Sequence, residues 1–185
     1  TETMGLDRDI IQVRQHARRL YDEAAMNAVY DRLAEEITRV LSDKNPILLP
    51  VLTGGIYFCG QLMQRLNFAL ELDYLHATRY RESTSGSQLH WQARPSNKIT
   101  GRTVLVIDDI LDQGITLHQV LAELRNAGVA DLYSAVLTRK QCARESEVEV
   151  DFVGVDVPDR YVFGCGMDYH GYWRNLPAIY AVADS

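Results

Sequence analysis

Cysteine is scarce in this 185-residue sequence, which contains only Cys59, Cys142 and Cys165, widely separated along the chain. So few thiols exclude a disulfide framework or a cysteine-rich zinc site, and they favour a reducing, cytoplasmic setting. No apolar run approaches the roughly 18 to 20 residues that span a bilayer, and the N-terminal residues lack the basic-then-apolar order of a signal peptide. We therefore expect a soluble intracellular protein with no membrane partner.

Positive charge is also in short supply. The chain carries 19 lysines and arginines against 25 aspartates and glutamates, a net charge of -6. This balance argues against a surface that binds nucleic acid through its phosphates, although a small anionic substrate needs only a local positive site. Internal repeats, low-complexity tracts and linkers are missing as well, so we expect one domain over residues 1–185.

Apolar strands and amphipathic helices alternate along the chain. Apolar residues at three- and four-residue steps predict a helix over Tyr21–Leu41, and a second helical stripe runs from Ile56 to Leu66. The predicted strands are Ile47–Leu52, Leu70–Leu75, Val104–Ile107, Leu132–Leu137 and Phe152–Val155. This order is typical of an α/β fold with a doubly wound, mainly parallel sheet and helices on both faces.

The most informative stretch is VLVIDDILDQGIT, residues 104–116. Its apolar strand leads into Asp108 and Asp109, which we expect at the carboxyl end of the sheet, where ligands bind in open α/β folds. A helix predicted over Thr116–Ala127 ends before Gly128, a residue suited to a left-handed C-terminal position. Residues 112–116 therefore form a loop between a strand and a helix.

Such a loop suits a phosphorylated sugar. The backbone N–H groups of Asp112, Gln113, Gly114, Ile115 and Thr116 lie at a helix N-terminus, where the helix dipole favours a phosphate monoester. The glycine allows close approach, and the threonine adds a hydroxyl. The two carboxylates before the loop can hold a ribose diol directly or share it with Mg²⁺.

The motif DDILDQGIT resembles the phosphoribosyl pyrophosphate signature of type I phosphoribosyltransferases. The resemblance covers nearly the whole chain and is closest to the hypoxanthine-guanine phosphoribosyltransferases, because residues 155–177 (VDVPDRYVFGCGMDYHGYWRNLP) have the order of their purine-binding end. It implies a purine-salvage enzyme that transfers 5-phosphoribosyl from phosphoribosyl pyrophosphate to N9 of hypoxanthine or guanine. IMP or GMP and pyrophosphate would be the products, Mg²⁺ the cofactor and Asp112 the general base.

The same resemblance implies further roles. Tyr161 would stack on the purine, and the backbone of Val162 would read the edge of the base, both within a small purine-binding hood. Asp168 would bind Mg²⁺ beside pyrophosphate, in addition to Asp108 and Asp109, and Arg174 would bind pyrophosphate itself. A homodimer or homotetramer is the usual state of such enzymes.

Three positions depart from the family pattern. The turn at Thr53 and Gly54 is predicted to bind pyrophosphate through its backbone amides, with a simple left-handed turn as the alternative. In the family this loop often has a lysine where Thr53 stands, and a non-proline cis peptide at the same point. The cation that recognises the purine 6-oxygen is predicted to be Arg139, although a register shift of one residue would select Lys140 instead. Arg79 occupies a position that is commonly serine, and either a pyrophosphate contact or a solvated surface position fits it.

Arg79 lies in the long polar segment from residue 78 to residue 102, which is predicted to form a flexible active-site flap, in part a hairpin with residues 85–87 at its tip. Two other functions stay open at this point: a phosphoribosyltransferase that prefers xanthine, and a non-catalytic, nucleotide-sensing regulator with the same fold. The acidic composition and the intact Asp112 argue against the regulator.

Overall fold

A computed structural model describes residues 5–80 and 88–184. The described helices are α1 (Arg8–His16), α2 (Glu23–Leu41), α3 (Gly55–Met63), α4 (Ile115–Asn126) and a short 3-10 helix (Asn97–Ile99). The described strands are β1 (Arg18–Tyr21), β2 (Ile47–Pro50), β3 (Glu71–Leu72), β4 (His76–Tyr80), β5 (Gln88–Ala93), β6 (Thr103–Leu111), β7 (Asp131–Lys140), β8 (Phe152–Val157), β9 (Val162–Phe163) and β10 (Ile179–Ala181).

A five-stranded parallel sheet in the order β3-β2-β6-β7-β8 forms the centre of the fold. Helices α2 and α3 pack on one face of this sheet, and α4 packs on the other. The two faces alternate along β6, because Leu105 and Ile107 join the cluster under α2 while Val104 and Val106 join the cluster under α4. The predicted doubly wound α/β architecture is therefore confirmed.

The element boundaries differ from the predictions at several places. Strand β6 extends to Leu111, past the predicted end at Ile107, so that Asp108 and Asp109 lie within the strand, near its carboxyl end as expected. The predicted strand Leu70–Leu75 is reduced to β3, since this edge pairs with β2 over only two residues. Helix α2 begins two residues late because the Asp22 side chain accepts a hydrogen bond from the Ala25 amide (2.8 Å) and caps it.

A second, smaller sheet sits beside the carboxyl ends of the parallel strands. It joins β1, β10 and β9 in antiparallel pairing, and helix α1 covers it. None of these four elements was predicted as a strand or a helix. The Trp173 indole donates to the Ile10 carbonyl (2.8 Å), and the Tyr169 hydroxyl donates to Asp9 (2.8 Å). We call this unit, β1, β9, β10, α1 and the loop at residues 164–178, the hood.

The polar segment after residue 75 contains the antiparallel hairpin of β4 and β5, as predicted. Ala77 is buried against the cluster beneath α4, which fixes the base of this hairpin to the main domain. The predicted hairpin tip at residues 85–87 lies outside the described residues. Among the described residues, no helix has the length and apolar character required to cross a bilayer.

Candidate active site

A cleft with two lobes opens where β2, β6 and β7 end. The first lobe has a volume of about 470 Å³ and the second about 480 Å³. Four residues line both lobes, namely Asp109, Ile110, Asp112 and Asp168. The cleft lies at the carboxyl edge of a parallel sheet, as expected for a ligand site in an α/β fold.

Residues 112–116 form one wall of the first lobe, and all five line it. The predicted loop is shorter than expected, because α4 begins at Ile115 and includes the last two of these residues. Helix α4 begins after Gly114, which has φ +78° and gives the helix no side-chain cap. A side chain at this glycine would also overlap the carbonyl of Ser146. The first turn of α4 thus has no side-chain cap, and its residues line the lobe, which is the arrangement that suits a phosphate at a helix N-terminus.

The loop between β2 and α3 forms the opposite wall. The Leu52–Thr53 peptide is cis, as the resemblance predicts for this loop. Leu52 and Gly54 line the first lobe, whereas the Thr53 side chain is exposed and does not line it. Gly54 is required because a Cβ at that position would overlap the carboxylate of Asp109.

Asp108 and Asp109 are partly buried side by side at the floor of the lobe. Desolvation and the neighbouring Asp109 carboxylate raise the pKa of Asp108 well above its usual range. Desolvation also raises the pKa of Asp109, although Asp108 and the Arg174 guanidinium act in the opposite direction. The Asp109 amide donates to Asp108 (2.9 Å), and the Thr138 hydroxyl donates to the Asp109 carbonyl (2.9 Å), so both residues are held in position.

Asp168 and Arg174 come from the hood and line the first lobe together with these carboxylates. The Arg174 guanidinium donates to the Gly166 carbonyl (2.7 Å) and lies 3.6 Å from the Asp168 carboxylate. The described residues contain no cluster of three or more His, Cys, Asp or Glu side chains placed to hold a metal ion alone. Separate hard carboxylates nevertheless fit Mg²⁺, which usually binds through one or two protein carboxylates together with substrate phosphates.

Arg139 and Lys140, the two residues predicted as alternatives for recognising the purine 6-oxygen, point in different directions. Lys140 lines the second lobe, and its ammonium donates to the Asp112 carboxylate (3.1 Å). Arg139 lines neither lobe, because it pairs with Asp156 on the neighbouring strand β8 (2.8 Å). Successive residues of a strand face opposite sides, so only one of the two can reach the cleft. The structure thus brings Lys140, and not the predicted Arg139, into the site.

Tyr161 and Val162 line the second lobe, as predicted. The Tyr161 ring is 48% exposed and lies edge-on to Tyr169, with ring centroids 5.3 Å apart. Its backbone carbonyl accepts a hydrogen bond from the Val182 amide (2.9 Å) across β10. This contact holds the backbone of residue 161 at the rim of the lobe, and the ring also lies nearly parallel to His170, with ring centroids 6.3 Å apart.

The cleft also contains residues that sequence reasoning did not assign. Ile110 forms part of both lobes, and its position between Asp109 and Asp112 was the signal that would have identified it. Arg160 lines the second lobe and is paired with Asp184. Arg79, whose place was left open, lines the first lobe.

Comparison with known proteins agrees with this geometry. The family model described as "Phosphoribosyl transferase domain" matches residues 16–170. The chain is 36% identical to the hypoxanthine-guanine-xanthine phosphoribosyltransferase of Tritrichomonas foetus (91% of this chain, 92% of that protein) and 31% identical to the hypoxanthine-guanine phosphoribosyltransferase of Bacillus subtilis (86% and 89%).

Solved structures of related enzymes are also similar to this chain over nearly its whole length. A hypoxanthine-guanine-xanthine phosphoribosyltransferase superposes with a TM-score of 0.83 at 34% identity, covering 90% of this chain and 97% of that one. A hypoxanthine phosphoribosyltransferase from Staphylococcus aureus gives a TM-score of 0.87 at 25% identity, covering 96% and 97%. The motif DDILDQGIT, the two-lobed cleft and these similarities lead to one conclusion: the chain belongs to the phosphoribosyltransferase family.

Proposed function

We propose that the protein is a purine-salvage enzyme that transfers 5-phosphoribosyl from phosphoribosyl pyrophosphate to N9 of hypoxanthine or guanine. The observation that carries this proposal is the pairing of Lys140 with Asp112 in the second lobe (3.1 Å). An oxopurine presents its N7–H donor and its 6-oxygen acceptor side by side on one edge. A carboxylate beside an ammonium complements that edge, whereas the 6-amino group of adenine would face the ammonium with a second donor.

Phosphoribosyl pyrophosphate fits the first lobe in one orientation. Its 5′-phosphate would bind the amides of residues 112–116 and the Thr116 hydroxyl, and its ribose diol would lie over Asp108 and Asp109. The pyrophosphate would then extend toward Gly54 and Arg174. This orientation directs the anomeric carbon at the residues shared by the two lobes, so that a purine in the second lobe can attack it from the side opposite the leaving group.

The base would be held between Tyr161 and Ile110, with the Val162 backbone at its far edge. As N9 attacks, Asp112 accepts the N7 proton and Lys140 keeps that carboxylate oriented. Positive charge develops on the ribose ring as pyrophosphate departs, and the carboxylates of Asp108 and Asp109 stabilise it.

The donor set supports Mg²⁺ as the cofactor. Asp108, Asp109 and Asp168 offer hard oxygen ligands around the first lobe, in positions that a substrate-bound ion can use. When bound, Mg²⁺ would neutralise the leaving pyrophosphate. A homodimer or homotetramer and a cytoplasmic location remain predictions.

A steady-state assay with Mg²⁺ and phosphoribosyl pyrophosphate tests this proposal. Hypoxanthine, guanine, xanthine, adenine and orotate would be supplied separately and nucleotide formation followed. Nucleotide from hypoxanthine or guanine, with little from adenine or orotate, is the expected result. Xanthine is included because the Tritrichomonas foetus relative carries xanthine in its name. The absence of product from all five bases would reject the proposal in favour of the nucleotide-sensing regulator.

A further inference from the structure

Arg79 stands out among the charged groups of the first lobe. The residues that line the lobe contribute four carboxylates, Asp108, Asp109, Asp112 and Asp168, and two guanidinium groups, Arg79 and Arg174. Asp112 is paired with Lys140, and Asp168 lies beside Arg174. No described residue forms an ion pair with Arg79, and its Nε is fully buried without a hydrogen-bond partner. An arginine that lines the lobe and has no carboxylate partner among the described residues can pair with an anionic ligand there.

The surroundings of Arg79 indicate which group of the ligand it binds. Strand β4 continues from Leu75, which forms a β-bridge with Val51 and accepts a hydrogen bond from the Leu52 amide (2.8 Å). Two residues before Arg79, Ala77 packs in the cluster beneath α4, so β4 lies against helix α4 as well as beside the loop between β2 and α3. Arg79 lines the lobe where both walls adjoin β4, and the charges of the two walls indicate which anion it binds.

The loop between β2 and α3 supplies no charge of its own, because Thr53 is neutral and its side chain is exposed. Arg174 reaches the lobe from the hood, but it is already engaged by the Gly166 carbonyl and lies close to Asp168. The pyrophosphate group carries several negative charges and needs more cationic donors than Arg174 alone provides. We infer that Arg79 binds the pyrophosphate of phosphoribosyl pyrophosphate and takes the place of a cation in the loop at Thr53.

This inference rests on the proposed binding of phosphoribosyl pyrophosphate in the first lobe. Its test compares the wild type with Arg79→Gln, which removes the charge, and Arg79→Lys, which keeps the charge but loses the planar fork. The matched control is Arg94→Gln. Arg94 lies just after the same hairpin, stacks on Trp91 and pairs with Glu123 at the surface (3.0 Å), away from both lobes.

Three quantities would be measured with Mg²⁺: the KM for phosphoribosyl pyrophosphate, the inhibition constant of inorganic pyrophosphate against that substrate, and the Kd of IMP by calorimetry. Arg79→Gln should raise the KM for phosphoribosyl pyrophosphate and the inhibition constant of pyrophosphate by roughly 10- to 100-fold, the range for a hydrogen bond to a charged group. The Kd of IMP should stay within about twofold of the wild-type value. Arg79→Lys should recover part of the loss, and Arg94→Gln should match the wild type.

Unchanged pyrophosphate inhibition in folded Arg79→Gln would overturn the inference. A weaker Kd for IMP with unchanged pyrophosphate inhibition would also overturn it, because the arginine would then bind the 5′-phosphate. If the wild type transferred phosphoribosyl to no purine, the proposed function would fail. Calorimetric titration of the wild type and Arg79→Gln with Mg²⁺ and pyrophosphate would still decide whether Arg79 binds this anion.

Discussion

Replacing Lys140 by methionine tests how the second lobe recognises the purine. Methionine keeps an unbranched chain of similar length but removes the ammonium, which donates to Asp112 at 3.1 Å; the Lys140 side chain is 13% exposed. A hydrogen bond to a charged group is worth about 1.5 to 3 kcal/mol, so the KM for hypoxanthine should rise by roughly 10- to 150-fold. The preference for hypoxanthine over adenine, measured as the ratio of kcat/KM, should fall by at least about tenfold, because the ammonium no longer rejects a 6-amino group.

Arg139→Met is the matched control, since it removes a cation from the adjacent position of the same strand. The Arg139 side chain is 43% exposed and its partner Asp156 is 50% exposed. An exposed ion pair of this kind contributes roughly 0.2 to 1 kcal/mol, so this variant should lose a little stability and keep its kinetics within about twofold.

Both variants would be assayed with hypoxanthine and with adenine at saturating phosphoribosyl pyrophosphate, and thermal unfolding would verify that they fold. The KM for phosphoribosyl pyrophosphate serves as an internal reference, because Lys140 lines only the second lobe. Full selectivity in Lys140→Met, or a loss of selectivity in Arg139→Met instead, would show that the assignment of the purine cation is wrong.

Three other variants examine separate parts of the cleft. Asp112→Asn should lower kcat by roughly 10²- to 10⁴-fold and change the KM for phosphoribosyl pyrophosphate by less than about threefold, as measured by steady-state kinetics; an unchanged kcat would exclude Asp112 as the base. Asp108→Asn should raise the Tm of the ligand-free protein near pH 8. Burial and Asp109 raise the Asp108 pKa, so the wild type loses stability as the pH rises from the pKa of an unfolded aspartate toward the raised pKa of the folded state. The difference in Tm between Asp108→Asn and the wild type should therefore disappear toward about pH 4. A gap that did not depend on pH would contradict this origin. Tyr169→Phe removes the hydroxyl that donates to Asp9 (2.8 Å) and should raise the KM for hypoxanthine by about two- to fivefold with no change for phosphoribosyl pyrophosphate; an equal effect on both substrates would indicate general loosening of the fold.

The parts of the fold that follow a strong period were predictable from the sequence. The apolar positions of α2 and α4 repeat at helical spacing, and the buried run at the start of β6 has the character of a central parallel strand. Each of these segments buries a continuous face against one sheet, so the local pattern and the tertiary packing require the same structure.

The hood was not predictable in the same way. Its strands have two to four residues each, and β1 pairs with β10 through contacts such as Arg18 with Ala181, which lie at opposite ends of the chain. A strand this short carries too few residues to display a period, and its pairing is decided by long-range packing. Helix α1 was missed because only Ile10 and Val13 are buried in it.

Arg139 and Lys140 illustrate the same limit within the site. The sequence indicates that a cation follows the apolar run of β7, but not how far the strand continues. In the structure the strand extends through Lys140, which places that residue in phase with Val136 and Thr138 and turns Arg139 to the other side. A single residue of strand length therefore decides which cation enters the cleft, and no local preference fixes it.

The charges of the first lobe explain why one ligand suits all of it. Asp108 and Asp109 are desolvated carboxylates whose pKa values are raised, while Arg79 has a buried guanidinium donor without an acceptor. In the part of the chain that the structure describes, no ion pair joins Arg79 to either carboxylate, although all three side chains line this lobe. A cation alone would satisfy only the carboxylates, and an anion alone only the arginine. A pyrophosphate that carries its own Mg²⁺ satisfies both at once, so each component should bind better in the presence of the other.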